Sequence, residues 1–403
     1  MSDQSLRRSL IPRVNVGDLL VRSAARLPKA LALVDGPSRF AYREFNDEVN
    51  RAAHGLAALG YRRGDALALM STNNAEFPFA YLACARLGVI CVPINLFWRH
   101  KELAYVLAHA RAKGVVVESG LLDQLLTGLP EVECVQDVVI LGFHDGSSVA
   151  GRRTVGFAAM TDRQPTDEPA HYVEDRDPIS YLYTSGTTSA PKGVVSSRLA
   201  VDLESMGTAL DTRMTSADRV TALMPVFHTA QLNAVATPAI AVGAALYIER
   251  GFEANRLLDL IEAETITVTF ALPMMYRAML EQLDLKRRDV SSMRLAVYAM
   301  TPTHELKNAM ATFGCEFSLM FGRTEMNPLA VYFRPEHQLS HPGAVGTAAA
   351  NAEVAIMDAA GQLVPQGQSG EIVYRGPQVM TEYMRDPEAI DAAFAQGWFH
   401  SGD

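Results

Sequence analysis

The chain is poor in the features that announce several common classes of protein. It has no basic excess: 36 Lys and Arg stand against 45 Asp and Glu, a formal net charge of -9. A nucleic-acid binder needs a basic footprint, so that class is excluded, although one local site can still hold phosphates on an acidic protein. It has only four cysteines, at 84, 91, 134 and 315, with no close Cys-x-x-Cys pair. That argues against a disulfide framework or a zinc knuckle, and fits reduced thiols in the cytoplasm. No uninterrupted apolar run reaches ~18 residues, so no membrane span is expected. The N-terminal stretch MSDQSLRRSLIPRVNVGD lacks the apolar core of a secretion signal. No fixed-period repeat is visible.

What is present is alternation. Residues 42–59 carry Phe45, Val49, Ala52, Leu56 and Leu59 at helical spacing before Gly60. Ala66–Met70, Val89–Val92, Val115–Val117 and Val138–Leu141 read as buried strands, with helices expected at 74–87 and Glu102–Lys113. Continuous Val/Ile runs between helices predict a mostly parallel sheet covered on both faces. Residues 142–177 are polar and rich in Gly, Pro and Asp, and read as a long surface connection. Alternation resumes with strands at Val220–Met224, Ala245–Ile248, Ile266–Phe270 and Leu295–Tyr298, and helices at Ala254–Glu264 and Met274–Leu283. After residue 330, short strands at Val354–Met357 and Glu371–Tyr374 lie among Gly/Pro spacers. The expected fold is α/β, with two doubly wound, mostly parallel-sheet subdomains at 1–178 and 179–335. A small β-barrel-like subdomain is expected at 336–403.

One loop concentrates hydroxyls. Residues 183–193 read YTSGTTSAPKG. By composition this suits a flexible linker or a phosphate cradle, since backbone amides, hydroxyls and one ammonium are what phosphate oxygens need. It is not a Walker A loop: Pro191 precedes Lys192 and Gly193 follows it, so no helix opens at the lysine. An excursion after the short strand Ile179–Tyr183 is expected instead.

The string YTSGTTSAPKGV resembles the signature loop of the adenylate-forming superfamily, which includes acyl- and aryl-CoA synthetases, luciferases and peptide-synthetase adenylation domains. Further stretches follow in order. MPVFHTAQLN at 224–233 resembles the family's Pro-x-Phe-His segment, and MFGRTEM at 320–326 is similar to its aromatic-Gly-x-Thr-Glu motif. GAVGTAAANAEVAIMD at 343–358, GEIVYRGPQVMTEYMRDPEA at 370–389 and GWFHSGD at 397–403 resemble the stretches that lead into and through the small β unit.

The resemblance implies formation of an acyl-adenylate and pyrophosphate from ATP and a small carboxylic acid, followed by transfer to CoA or to an amine. It places Thr184, Ser185, Gly186, Thr187, Thr188 and Lys192 around the β- and γ-phosphates. Glu325 would hold Mg²⁺, with Thr324 and Gly322 beside it and Phe321 against the adenine. Asp403 would accept both ribose hydroxyls. His228 would stand where the acid carboxylate meets the α-phosphate. Phe227, Gln231, Asn233, Met300 and Met326 are candidates for the acid pocket.

The sequence also departs from the family's pattern. Ser189 replaces a loop glycine, Ser197 stands where histidine is common, and Ser401 replaces threonine. YAMTPT at 298–303 places Met300 and Thr301 in a usually small-residue segment. Family members continue past the last motif into a small mobile domain that carries a further lysine. On that resemblance the chain is a large N-terminal domain that adenylates slowly by itself. An amide-forming ligase and an inactive nucleotide-binding protein are the alternatives. A homodimer is compatible with everything in the sequence.

Overall fold

The structure, a computed structural model, describes residues 2–184, 190–282, 287–299 and 306–403. Strand periodicity organises it. In Ala66–Met70, Leu67 and Leu69 face one layer of helices, while Ala66, Ala68 and Met70 face another. A strand buried on both faces has no polar side to show, which is why this segment reads as an unbroken apolar run.

Two large sheets result. The first has eight strands, in the order Glu382–Tyr383, Lys192–Ser197, Pro178–Thr184, Ile90–Pro93, Ala66–Met70, Ala112–Glu118, Asp137–Leu141, Arg153–Gly156. The second has nine: Thr347–Ala348, Leu329–Phe333, Glu316–Gly322, Leu295–Tyr298, Val268–Ala271, Arg219–Ala222, Ala245–Ile248, Leu31–Asp35, Ser38–Ala41. Both are parallel at the centre and antiparallel at an edge.

Between the sheets lies a shared layer of helices, including Val16–Arg26, Tyr42–Ala58, Glu76–Leu87 and Arg198–Asp211. Their apolar side chains form one core with the inner faces of both sheets, from Leu67 and Val116 on one side to Val220, Leu246 and Phe270 on the other. Glu76–Leu87 is buried on every side, as expected of a helix between two sheets. The outer face of the first sheet packs on Leu103, Val106 and Leu107. The outer face of the second packs on Leu257, Leu258, Ile261 and Tyr276. The architecture is thus five layers, helices alternating with sheets. Among the described residues no helix is long and apolar enough to cross a membrane.

The divisions expected at 178/179 and 335/336 do not separate the sheets. Pro178–Thr184 and Lys192–Ser197 join the first sheet, while Leu31–Asp35, near the N-terminus, pairs in parallel with Ala245–Ile248 of the second. Thr347–Ala348 extends the second sheet and Glu382–Tyr383 the first. Strand pairing, not position in the chain, sets the units. The small β unit is a four-stranded antiparallel sheet in the order Glu353–Met357, Glu371–Arg375, Trp398–His400, Phe394–Ala395.

The connection at 142–177 is also more ordered than expected. Arg153–Gly156 adds an edge strand and Phe157–Thr161 a short helix, whose Met160 is buried beside Gly55. Four residues with Arg and Thr on an exposed edge carry too little apolar pattern to be seen. The helix expected over Glu102–Lys113 runs instead from His100 to His109, and Ala112 already begins the next strand.

Candidate active site

The hydroxyl-rich loop connects an antiparallel pair. Thr184 ends one strand, Lys192 begins the next, and the two lie opposite each other in register. Ser185, Gly186, Thr187, Thr188 and Ser189 lie outside the described residues. Glu382–Tyr383 pairs with Val194–Val195 on the free side of the hairpin, and the Met384 amide donates to the Gly193 carbonyl at 2.7 Å. That pairing brings Tyr383 beside Lys192, whose Nζ lies 5.0 Å from the ring centroid. Lys192 also lines a cleft of about 200 Å³ with Tyr105, His109 and Arg385.

Tyr383 reaches the second motif as well. Its hydroxyl donates to Glu325 Oε1 at 2.7 Å. Arg323 Nε donates to Glu325 Oε2 at 2.9 Å. Glu325 is almost wholly buried, its side chain 4% exposed. It sits in the tight turn Thr324–Met326, after Arg323 in extended conformation. The turn folds the carboxylate back along the arginine stem. Burial opposes charge on Arg323, but the hydrogen bond and charge of Glu325 outweigh it and raise the guanidinium pKa. Burial, then the Glu325 charge, raises the Tyr383 phenol, so it stays a donor.

Arg323 continues to the end of the chain. Its Nη1 donates to the Ser401 carbonyl and lies 3.7 Å from Asp403 Oδ2. The guanidinium stands 5.6 Å from the Phe399 ring centroid. The Gly402 amide donates to Glu371 Oε1 at 2.8 Å, and the Ile372 amide to the Asp403 carbonyl at 3.2 Å. These bonds hold the final residues on the small sheet.

A cavity of about 260 Å³ opens beside the segment 320–324. His228, Phe321, Gly322 and Thr324 form part of its wall, and so does Arg323. Gly322 has a strict reason to be glycine: any Cβ there would collide with the Pro328 carbonyl oxygen. His228 caps the short helix Thr229–Gln231, its Nδ1 accepting the Ala230 amide at 3.2 Å. A neutral ring that accepts at Nδ1 carries its hydrogen on Nε2. The ring is open to the cavity yet densely surrounded, and desolvation lowers its pKa from 6.5.

The expected acid-pocket residues separate. Gln231, Asn233 and Met326 are fully buried, and none is on this wall. Gln231 Oε1 accepts the Met224 amide and Asn233 Nδ2 donates to Thr229 Oγ1. Phe227 packs edge-to-face on Phe97, 6.4 Å between centroids, away from the wall. Met300 lies outside the described residues. The wall is instead Ala230, Ala234, Phe270, Ala299, Met320 and Leu329, with the residues named above. Residues 230 and 234 share one face of the helix through the π-turn Leu232–Ala236; 231 and 233 point elsewhere.

The residues suit a magnesium ion held together with a nucleotide. Among the described residues no group of three or more His, Cys, Asp or Glu could hold a metal by itself. Glu325 offers a hard carboxylate whose oxygens each retain acceptor capacity beyond one hydrogen bond. Mg²⁺ is typically held by one or two carboxylates, with phosphate oxygens and water completing its shell.

The AMP-binding enzyme family matches residues 20–384. The chain belongs to that family. Feruloyl-CoA synthase from Amycolatopsis sp is 29% identical over 391 residues, covering 96% of this chain and 75% of that one. 4-Coumarate–CoA ligase 4 from Arabidopsis thaliana is 30% identical over 391 residues, covering 92% and 67%. Among solved structures, the inhibitor-bound N-terminal domain of FACL13 from Mycobacterium tuberculosis superposes with a TM-score of 0.88. It is 26% identical and covers 97% of this chain and 96% of its own. The anthranilate CoA ligase AuaEII in complex with anthranoyl-AMP gives a TM-score of 0.89 at 26% identity, covering 96% and 75%. This AMP-binding protein therefore has the α/β fold of the N-terminal domains of adenylate-forming enzymes, and its relatives are acyl- and aryl-CoA ligases.

Proposed function

We propose that this protein activates a carboxylic acid with ATP and then passes the acyl group to CoA, as an AMP-forming acid–thiol ligase. One observation carries the reading: the segments around 228 and 320–324 meet at one cavity, and Tyr383 joins Glu325, next to that wall, to Lys192 on the neighbouring cleft. In the first step an acid oxygen attacks the α-phosphorus, and the bond to the β-phosphate oxygen breaks as pyrophosphate leaves with the electron pair. Thr184, Ser185, Gly186, Thr187, Thr188 and Lys192 hold the β- and γ-phosphates, where charge grows in the transition state. Phe321, Gly322 and Thr324 border the nucleotide, and Asp403 accepts from the ribose. His228 donates from Nε2 to the acid carboxylate or the α-phosphate. Mg²⁺, held by Glu325, would neutralise phosphate charge. In the second step the CoA thiolate attacks the acyl carbon and AMP leaves.

The wall of Ala230, Ala234, Ala299, Phe270, Met320 and Leu329 favours an apolar acid with a single carboxylate, of about the size of an aryl acid. The reading includes a cytoplasmic site of action, supported by four unpaired thiols. The test is acid-dependent pyrophosphate–ATP exchange over a panel of aryl and alkyl acids, followed by product analysis with CoA and with amines. Exchange with an apolar acid and a CoA thioester product support the reading. An amide product would replace the acceptor, and no exchange with any acid would sink the reading.

A further inference from the structure

Among the described residues, Arg323 is the one charged side chain on the wall of the 260 Å³ cavity, and it touches both carboxylates of the proposed nucleotide site. Toward Glu325 it presents Nε at 2.9 Å and Nη2 at 3.4 Å, a forked contact. Toward the chain end it presents Nη1 to the Ser401 carbonyl and to Asp403 Oδ2. Its side chain is 27% exposed, and Phe399 covers part of it.

We propose that Arg323 is a positioning residue that occupies, between Glu325 and Asp403, the electrostatic role a divalent cation takes when nucleotide binds. The inference rests on the nucleotide reading of the site. Without the guanidinium, no cation among the described residues would pair with either carboxylate as a polyanion approached. With it, the turn at 323–326 and the tail at 398–403 are held together and their repulsion toward phosphate is reduced. A divalent cation reaching Glu325 meets a carboxylate whose charge the arginine already shares. Arg323 thus favours binding of metal-free nucleotide and competes with the metal for one carboxylate.

A purely structural ion pair makes a different prediction, and calorimetry separates the two. Arg323→Met keeps an unbranched stem and removes the charge; Arg323→Lys restores it. In the Met variant, Mn²⁺ alone is expected to bind about tenfold more tightly than in the parent protein, because Glu325 is released. AMP without metal is expected to bind about tenfold more weakly, and the gain in ATP affinity on adding Mg²⁺ to grow by a similar factor. The Lys variant should recover most of the AMP binding. Thermal melts in the same buffers show whether each variant is folded. Equal changes in AMP and Mg·ATP binding, with Mn²⁺ affinity unmoved, would overturn the proposal while leaving the nucleotide reading intact. A folded parent protein that binds neither AMP nor Mg·ATP overturns both.

Discussion

Two cations are connected through Tyr383 and Glu325, and the protein treats them differently. Arg323 is fixed: two carboxylates, a carbonyl oxygen and the Phe399 ring surround its guanidinium. Lys192, at the start of its strand, lies over the Tyr383 ring on the wall of a cleft and forms no ion pair among the described residues. A planar guanidinium suits a permanent forked contact; a compact ammonium on a flexible stem suits a ligand that comes and goes. The paired cation organises the site, and the unpaired one is left with charge to give. Tyr383 couples them, its ring beneath Lys192 and its hydroxyl on Glu325.

The largest effect should come from the unpaired side. Lys192→Ala is expected to slow acid-dependent pyrophosphate–ATP exchange by roughly 10²- to 10³-fold, the usual cost of one lost donor to developing charge. AMP has no β- or γ-phosphate, so its affinity should change little. If AMP binding and exchange fall together, Lys192 supports the fold of the hairpin and the contrast with Arg323 disappears.

Next in size is the cavity that Arg323 borders. Ala234→Phe places a ring where the wall is now a methyl group, and should raise KM for aryl acids by about 10- to 100-fold while sparing short acids. Asn233→Ala, one residue away, removes a buried hydrogen bond and leaves the wall untouched. It should lower stability without changing acid preference. An acid-panel profile that shifts in Asn233→Ala and not in Ala234→Phe would show that the wrong face of the helix has been assigned to the substrate.

The same pair of residues shows what the sequence could disclose. Ala245–Ile248, Leu295–Tyr298 and the helix Ala254–Glu264 stand where the pattern puts them, because short apolar runs and an amphipathic stripe are local signals. The turn at 320–326 was legible through its motif. Ala230 and Ala234 were not, because a pocket is written as missing side-chain volume, and alanine in a helix signals nothing. Polar Gln231 and Asn233 attract attention but satisfy backbone and neighbouring groups. Arg323 lies inside a recognised motif, yet its role depends on Ser401 and Asp403, which reach it through the small sheet. Tyr383 depends on an added strand at a sheet edge. Long-range pairing has no local signature.

A smaller effect tests the coupling through Tyr383. Tyr383→Phe keeps the ring under Lys192 and removes the donor to Glu325. It is expected to cost about 1.5–3 kcal/mol, the range for a hydrogen bond to a charged group. Tyr383→Leu loses the ring as well, adding about 0.5–1 kcal/mol for the cation–π contact. Urea unfolding measures both. Equal losses in the two variants would mean that the ammonium gains nothing from the ring and that the two cations are not linked through it.

The smallest effect concerns His228, which faces the same cavity without being part of either cation's contacts. Desolvation lowers its pKa below 6.5, so the folded protein holds it neutral where the unfolded chain has begun to bind a proton. The unfolded state then carries more protons, and stability must rise with pH through that window. Above pH 6.5 both states are neutral and the contribution is flat. As pH falls from 6.5 toward the lowered value, stability declines. Protonation also puts a hydrogen on Nδ1, which removes the acceptor for the Ala230 amide and the cap of the short helix. Adenylation should therefore weaken over the same interval, as the ring loses the hydrogen bond that holds it on the cavity wall. His228→Asn retains an acceptor for the cap without a titrating ring, so its melting temperature should lose this component of the pH dependence. A ring titration followed by nuclear magnetic resonance gives the direct check. A midpoint for His228 above 6.5 would mean that a negative charge faces the ring and dominates its burial, and the neutral Nε2 donor would have to be abandoned.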